Sequence, residues 1–290
     1  MSLEDTLSGW TGPSSNTEQD KQDRTERMIC EAVEAHAAFK DCSLSVFAKG
    51  SYPNNTNVRA DSDVDIAVQC HEVIYWDEHE PGAHPPSTSY TGIWTPEKLR
   101  SELLTALRAK FPGQVDASGK VALHVNSGSS RVDADVVPCF DYRYYFSPTY
   151  YRKGTRIVST AGKRFENYPV QHLENGRTKN TQTYLRFKKV VRILKRLENV
   201  MELEGAHREV PSFLVESLVY NCPAPLICRS TWTDTVKGVL AHVYHELQGE
   251  GEAWLEVNEC KYLFGPGQKW AQKDGMDFAF AAWNYLGFGK

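Results

Sequence analysis

The sequence predicts an α+β fold, and three observations carry the prediction. Short apolar runs with alternating polar residues occur between helical patterns as far as about residue 170. From Thr178 onward the apolar spacing is helical throughout. Two of the early runs carry carboxylates in alternation with buried-type residues, which is the period of a strand. The expected organisation is a flexible N-terminal arm over 1–16, a mixed core over 17–175 and a helical lobe over 176–290.

The arm is expected because its residues are polar and interrupted by Gly9, Gly12 and Pro13. Asn16 to Phe39 reads as a helix, with Met28, Ile29, Ala32, Val33 and Ala37 at helical spacing. Leu44–Ala48 and Ser62–Cys70 read as strands on either side of a Gly-Ser turn. Trp76 to Gly92 contains Pro81, Gly82, Pro85 and Pro86 and reads as a surface loop. Pro96–Lys110 is a helix, with Thr95 placed to cap it and Pro112-Gly113 beyond its end. Strands follow at Val121–Asn126, Arg131–Pro138 and Arg156–Ser159, then helices at 178–203, 211–221, 230–248 and 268–286.

Composition narrows the class. With 33 Lys and Arg against 37 Asp and Glu, the net charge is −4, which argues against stable binding of long nucleic acid. No stretch approaches the roughly 20 apolar residues of a membrane span, so no membrane partner is expected. The N-terminus lacks the basic and apolar regions of a secretion signal. Seven scattered cysteines fit reduced thiols, and the expected location is the cytoplasm. His71, His79 and His84 lie near Cys70 without the spacing of a zinc site.

The most informative segment is Lys49-Gly50-Ser51-Tyr52 followed by Asp63-Val64-Asp65-Ile66-Ala67-Val68. On a strand Asp63 and Asp65 share one face while Val64, Ile66 and Val68 share the other. Two adjacent carboxylates repel each other and call for a cation between them. Hard oxygen ligands suit Mg²⁺ or Mn²⁺. The Gly50-Ser51 turn offers backbone N–H groups and a hydroxyl to a phosphate. The ordinary alternative for Asp-x-Asp is a solvated strand face.

A second segment, Arg131-Val132-Asp133-Ala134-Asp135-Val136-Val137-Pro138, again alternates carboxylates with apolar residues. A two-ion site needs a third carboxylate from a neighbouring strand. Asp135 is the candidate and Asp133, on the same face, the reserve. In Arg186–Arg196 six basic residues occur with no acid. At about 100° per residue, Lys188, Arg192 and Lys195 fall on one stripe beside an apolar stripe of Phe187, Val190, Val191 and Leu194. Ser212 and Phe213 follow Pro211 at a helix start, where a hydroxyl can meet phosphate and a ring can stack on a base. Packing alone accounts equally for Phe213. The aromatic cluster from Tyr142 to Tyr151 reads as a packed strand rather than a base platform.

These residues carry a family resemblance. Gly-Ser, then Asp-x-Asp, then a distant Asp before two apolar residues and Pro resembles the polymerase-β-like nucleotidyltransferase superfamily. Within it the chain is similar to the bacterial cGAS/DncV-like nucleotidyltransferases, through Gly50-Ser51-Tyr52, Thr56-Asn57-Val58-Arg59 and Ser62-Asp63-Val64-Asp65. Asp135-Val136-Val137-Pro138-Cys139-Phe140-Asp141 also resembles the third-carboxylate segment of oligoadenylate synthetases. Pro211-Ser212-Phe213-Leu214-Val215-Glu216 and the Trp270 and Trp283 region extend the similarity over roughly residues 25–286.

The resemblance implies a mixed, twisted catalytic sheet joined to a C-terminal helical lobe, with the active site in the cleft between. It implies an enzyme that joins NTPs (ATP, with GTP or a pyrimidine NTP as further candidates, the bases being left open) into a cyclic di- or trinucleotide. It further implies two Mg²⁺ or Mn²⁺ ions on Asp63, Asp65 and Asp135. Gly50, Ser51, Arg192, Lys195, Ser212 and Phe213 would contact the nucleotide. A monomer is expected, with an activating protein or ligand as a further partner and a role in anti-phage signalling. The rival expectations are an oligoadenylate-synthetase-like or RNA-tailing enzyme and a non-catalytic nucleotide-binding antitoxin or sensor.

Overall fold

The computed structural model describes residues 2–58, 63–87, 89–249 and 253–289. The chain divides into two compact units, one of 15–53 with 59–169 and one of 1–14, 54–58 and 170–290. The first holds the sheet and the second is helical, so the fold is α+β.

In the sheet unit, β1 (Leu44–Lys49) pairs antiparallel with β2 (Val64–Glu78), and β2 runs parallel to β5 (Ala134–Ser147). The first half of β5 pairs antiparallel with β4 (Leu123–Val125), which pairs with β3 (Val115–Asp116). Its second half pairs with β6 (Tyr150–Val158), and β6 with β7 (Arg164–Asn167). Alternation sorts the side chains by face. Val64, Ile66, Val68 and Cys70 of β2 are all 0% exposed. They pack in one core with Ile29 and Val33 of α2 (Asn16–Glu34) and Leu99, Leu103 and Leu107 of α3 (Pro96–Lys110). Each such burial contributes roughly 1.5–3 kcal/mol. The other face carries a smaller apolar cluster of Ala67, Val137, Cys139 and Ile157.

Several elements match expectation closely. α3 starts at Pro96, and the Thr95 hydroxyl accepts the Lys98 N–H. α2 starts behind Ser15, which forms a reciprocal capping box with Glu18. It stops at Glu34 rather than Phe39, because His36 turns extended and a 3₁₀ turn follows at Ala37–Phe39. That turn buries Phe39 against Trp94, with ring centroids 5.6 Å apart, and brings His36 Nε2 to 2.7 Å from Glu102 of α3. β2 extends through Trp76–Glu78, where a loop was expected, because these residues pair with Arg143–Tyr145 after a bulge between Cys70 and Ile74. The aromatic cluster lies on the β5–β6 hairpin as a packed strand, with Tyr142 and Tyr145 buried. The short β3 and β7 were not foreseen. Ser62, expected to begin a strand, lies outside the described residues.

In the helical unit the first residues are no loose arm. Ser2 and Asp5 cap α1 (Leu3–Gly9), whose Leu7 is 0% exposed in the unit's core. Glu4 accepts the N–H groups of Trp232 and Thr233 at 2.8 and 2.7 Å, at the start of α8 (Trp232–Glu246). These donors, with the Thr233 hydroxyl, outweigh burial and hold the Glu4 carboxyl below its ordinary range. The single helix expected over 178–203 is two, α4 (Pro169–Gln182) and α5 (Phe187–Leu203), broken where Tyr184 and Leu185 take positive φ. α5 is the hub of this core, burying Phe187, Val190, Val191, Leu194, Leu197 and Met201. Around it lie α6 (Ser212–Tyr220), a short α7 (Ala224–Ile227), α8 and α9 (Gln272–Tyr285). Among the described residues no helix is long and apolar enough to cross a membrane.

Candidate active site

The carboxylates gather at the head of the sheet because β2 and β5 run parallel and start together. Asp65 sits directly opposite Asp135 in the register, and the Val64 N–H donates to the Asp133 carbonyl at 2.9 Å. Asp63 immediately precedes β2 and is exposed. β4 then lays His124 opposite Asp135 from the other side. Its Nδ1 is 3.0 Å from Asp135 Oδ1 and its Nε2 is 3.5 Å from Asp133 Oδ1. On the β1 side, Lys49 lies opposite Asp65 with Nζ 3.2 Å from Oδ1.

This cluster has an excess of negative charge. Partial desolvation by the surrounding residues raises the Asp63 carboxyl above its ordinary value although the residue reaches solvent, and the Asp135, Asp133 and Asp65 charges raise it further against the opposing pull of His124. The hydrogen bond to Asp135 raises His124, against burial, and the charges of Asp135, Asp63 and Asp133 add to it. Asp63, His124 and Asp135 each present one ligand atom, all within 4.8 Å of one another. Two carboxylate oxygens and an imidazole nitrogen at that spacing fit a divalent cation.

The turn after β1 is built for close approach. Gly50 has φ +76°, and a Cβ there would stand 2.9 Å from Asp65 Oδ2. Only glycine meets both conditions without displacing that carboxylate. Ser51 follows in the turn. The turn is tied to α2 on both sides, since the Ala48 N–H donates to Glu26 at 3.0 Å and the Tyr52 hydroxyl donates to Asp23. Arg59 and Ser62 of the sequence motif lie outside the described residues.

The two cations expected on α5 are placed differently from expectation. Lys195 is 2% exposed, with Nζ 2.8 Å from Glu216 Oε2 and 3.3 Å from the Thr56 hydroxyl. Glu216 also accepts the Thr56 hydroxyl at 2.7 Å and lies 3.1 Å from His172 Nε2. Arg192 is 5% exposed and donates to the carbonyls of Thr11 at 2.8 Å and Asn55 at 2.6 Å. Both therefore hold the 54–58 segment within the helical unit instead of presenting a free charge. The helical stripe was read correctly, but the sequence gives no sign that Glu216 and the 54–58 backbone would meet it. Lys188, on the same stripe, is half-buried, and burial lowers its ammonium below the ordinary lysine range.

Ser212 opens α6 and is exposed, with no side-chain cap on that helix. The Phe213 ring is near both His172 and Trp270, with centroids 5.4 and 5.8 Å away. His124 was missed in the sequence. Its signal was the polar residue of Leu123-His124-Val125, whose neighbours are both 0% exposed, on a strand beside the third carboxylate.

Residues 174–287 match the family model of the cGAS/DncV-like nucleotidyltransferase C-terminal helical domain. A cyclic dipyrimidine nucleotide synthase CdnE of Legionella pneumophila is 37% identical, over 98% of this chain and 97% of its own length. The Elizabethkingia meningoseptica CdnE cyclic dinucleotide synthase, solved with GTP and Apcpp, is 30% identical with a TM-score of 0.83, covering 99% of this chain and 100% of that one. The Rhodothermus marinus CdnE c-UMP-AMP synthase, solved with Apcpp and Upnpp, is 26% identical with a TM-score of 0.85, covering 100% and 98%.

Proposed function

The chain belongs to the cGAS/DncV-like nucleotidyltransferase family and is a cyclic nucleotide synthase, and from that premise we propose that the cluster at the head of β2 and β5 is its catalytic centre. The observation that carries the assignment is the register of Asp65 against Asp135, with Asp63 beside them and the Gly50 turn against Asp65.

Asp63, Asp65 and Asp135 would hold two divalent ions, Mg²⁺ or Mn²⁺. When bound, such ions neutralise phosphate charge and ease deprotonation of a bound hydroxyl. Asp135 orients the acceptor 3′- or 2′-hydroxyl and favours loss of its proton. That oxygen attacks the α-phosphorus of a donor NTP, the bond to the bridging oxygen breaks, and pyrophosphate leaves with the electron pair. A second attack, by a hydroxyl of the donor on the α-phosphorus of the acceptor's own triphosphate, closes the ring and releases a second pyrophosphate. The Gly50 and Ser51 N–H groups and the Ser51 hydroxyl are assigned to the triphosphate. Ser212 and Phe213 are assigned to the nucleotide in the helical unit. Arg192 and Lys195 are assigned to holding the 54–58 segment.

The substrates are NTPs, and the protein works as a monomer. The test is mass spectrometry of products from all four NTPs, singly and in pairs, with Mg²⁺ or Mn²⁺. A phosphatase-resistant cyclic dinucleotide or trinucleotide is expected, and the productive pair names the bases. Linear oligomers alone would overturn the ring-closing step in favour of an oligoadenylate-synthetase-like reaction.

A further inference from the structure

We propose that His124 is itself a ligand of the metal site, and that its imidazole biases the site away from Mg²⁺ toward first-row transition ions such as Mn²⁺ and Co²⁺. This rests on the reading above that the carboxylate cluster holds divalent ions.

The placement of His124 follows from the fold. Leu123 and Val125 are both fully buried in the core of the sheet unit, so alternation along β4 sends His124 to the opposite face. The antiparallel register sets it directly across from Asp135. The ring is held on both sides, by Asp135 at Nδ1 and Asp133 at Nε2. Its side chain is 32% exposed and that of Asp135 38%, so an ion can reach both. Two neighbouring ligands of a six-coordinate ion at about 2.1 Å stand about 3 Å apart. The Nδ1 to Oδ1 separation is 3.0 Å. Asp63 completes a set of three donors on one ion, one nitrogen and two oxygens.

The chemistry of that set sets the preference. Mg²⁺ is bound through oxygen, by carboxylates, phosphates and retained water. A nitrogen donor gains little with Mg²⁺ and progressively more along the transition series from Mn²⁺ through Co²⁺. A site of oxygens alone would discriminate less between Mg²⁺ and Mn²⁺. Asp65 stays outside the set of three and is left to an all-oxygen ion, so the two ions of this site would differ in ligand type.

The experiment is Mn²⁺ binding to the intact protein by electron paramagnetic resonance, with Mg²⁺ as competitor, for wild type, His124→Ala, His124→Asn and Asp63→Asn. Pulsed measurements on the same samples read ¹⁴N coupling to the bound Mn²⁺. Wild type should show directly coordinated nitrogen, and both His124 variants should lose it. The ratio of Mn²⁺ to Mg²⁺ affinity should fall about tenfold or more in both, within the range found when metal-site partners are removed. Circular dichroism checks that each variant is folded, and His124→Asn keeps a polar side chain of similar reach. Mn²⁺ binding that Asp63→Asn abolishes, but that lacks nitrogen coupling and keeps its selectivity in both His124 variants, would overturn this proposal and leave the catalytic assignment standing. Mn²⁺ binding that none of the substitutions alters would overturn both.

Discussion

Replacing Lys195 by methionine separates two roles for the cation stripe on α5. The substitution keeps the length of the side chain and removes its charge. Glu216 is 2% exposed and would then lie buried with His172 and Thr56 as its remaining hydrogen-bond partners among the described residues. Removing one member of a buried ion pair costs about 3–5 kcal/mol, because the other charge is left uncompensated. His172 remains 3.1 Å away and can still donate, which favours the lower end, about 3 kcal/mol. At about 2–4 °C per kcal/mol for a unit of this size, Tm should fall by roughly 6–12 °C. The double variant Lys195→Met/Glu216→Leu removes both charges and should recover most of that loss, since apolar replacements of buried pairs are often neutral or better. Thermal unfolding followed by circular dichroism gives the stability, and initial rates against NTP concentration on the same samples give KM. A Tm within about 1 °C of wild type together with a selectively raised KM would refute the reasoning and return Lys195 to the phosphates.

The same network predicts acid sensitivity. Burial pushes the Glu216 carboxyl up, but the Lys195 charge and the His172 hydrogen bond and charge outweigh it and hold the carboxyl well below its ordinary 4.5. A depressed folded-state value gives stability that is complete above about pH 4.5 and is lost as pH falls through the folded value. Tm should therefore drop more steeply below pH 4.5 in wild type than in the Lys195→Met/Glu216→Leu double variant, and parallel curves would contradict this. Gly50→Ala should cost about 1–2 kcal/mol of stability from its left-handed backbone. The new Cβ should also displace Asp65 Oδ2 and weaken Mn²⁺ binding at least about tenfold, which calorimetry would detect. Leu7→Ala should destabilise the protein by about 2–5 kcal/mol in denaturant titration, whereas a loose arm would give no change.

The clustering of the carboxylates was legible because its signals are local. Asp-x-Asp within an apolar run fixes a strand, a face and a charge cluster together, and β2 and β5 deliver Asp65 and Asp135 side by side. Thr95-Pro96 marked the start of α3 to the residue, since capping and a proline at the first turn are decided by a few neighbours. The errors arose where distant segments decide. α1 reads as polar and broken, yet Leu7 and Glu4 gain partners only from α8 and its core. Lys195 reads as a cation offered to phosphate because its counter-charge, Glu216, lies 21 residues away on another helix. Breaks such as Tyr184-Leu185 involve no glycine or proline, so no local residue announces them. His124 was overlooked because a single histidine on a short strand carries weight only once β4 is laid against β5.

The catalytic role of the β2 and β5 carboxylates is tested most directly by pyrophosphate release and cyclic product in Asp63→Asn, Asp65→Asn and Asp135→Asn, each beside wild type. Loss of a positioned acid–base or metal-holding carboxylate should lower the rate by about 10²-fold or more. Asp63→Asn relieves repulsion within the cluster, so its Tm without added metal should stay level or rise. An inactive, fully folded variant at all three positions is the predicted result. Cyclic product within tenfold of wild type from any of the three would contradict the account.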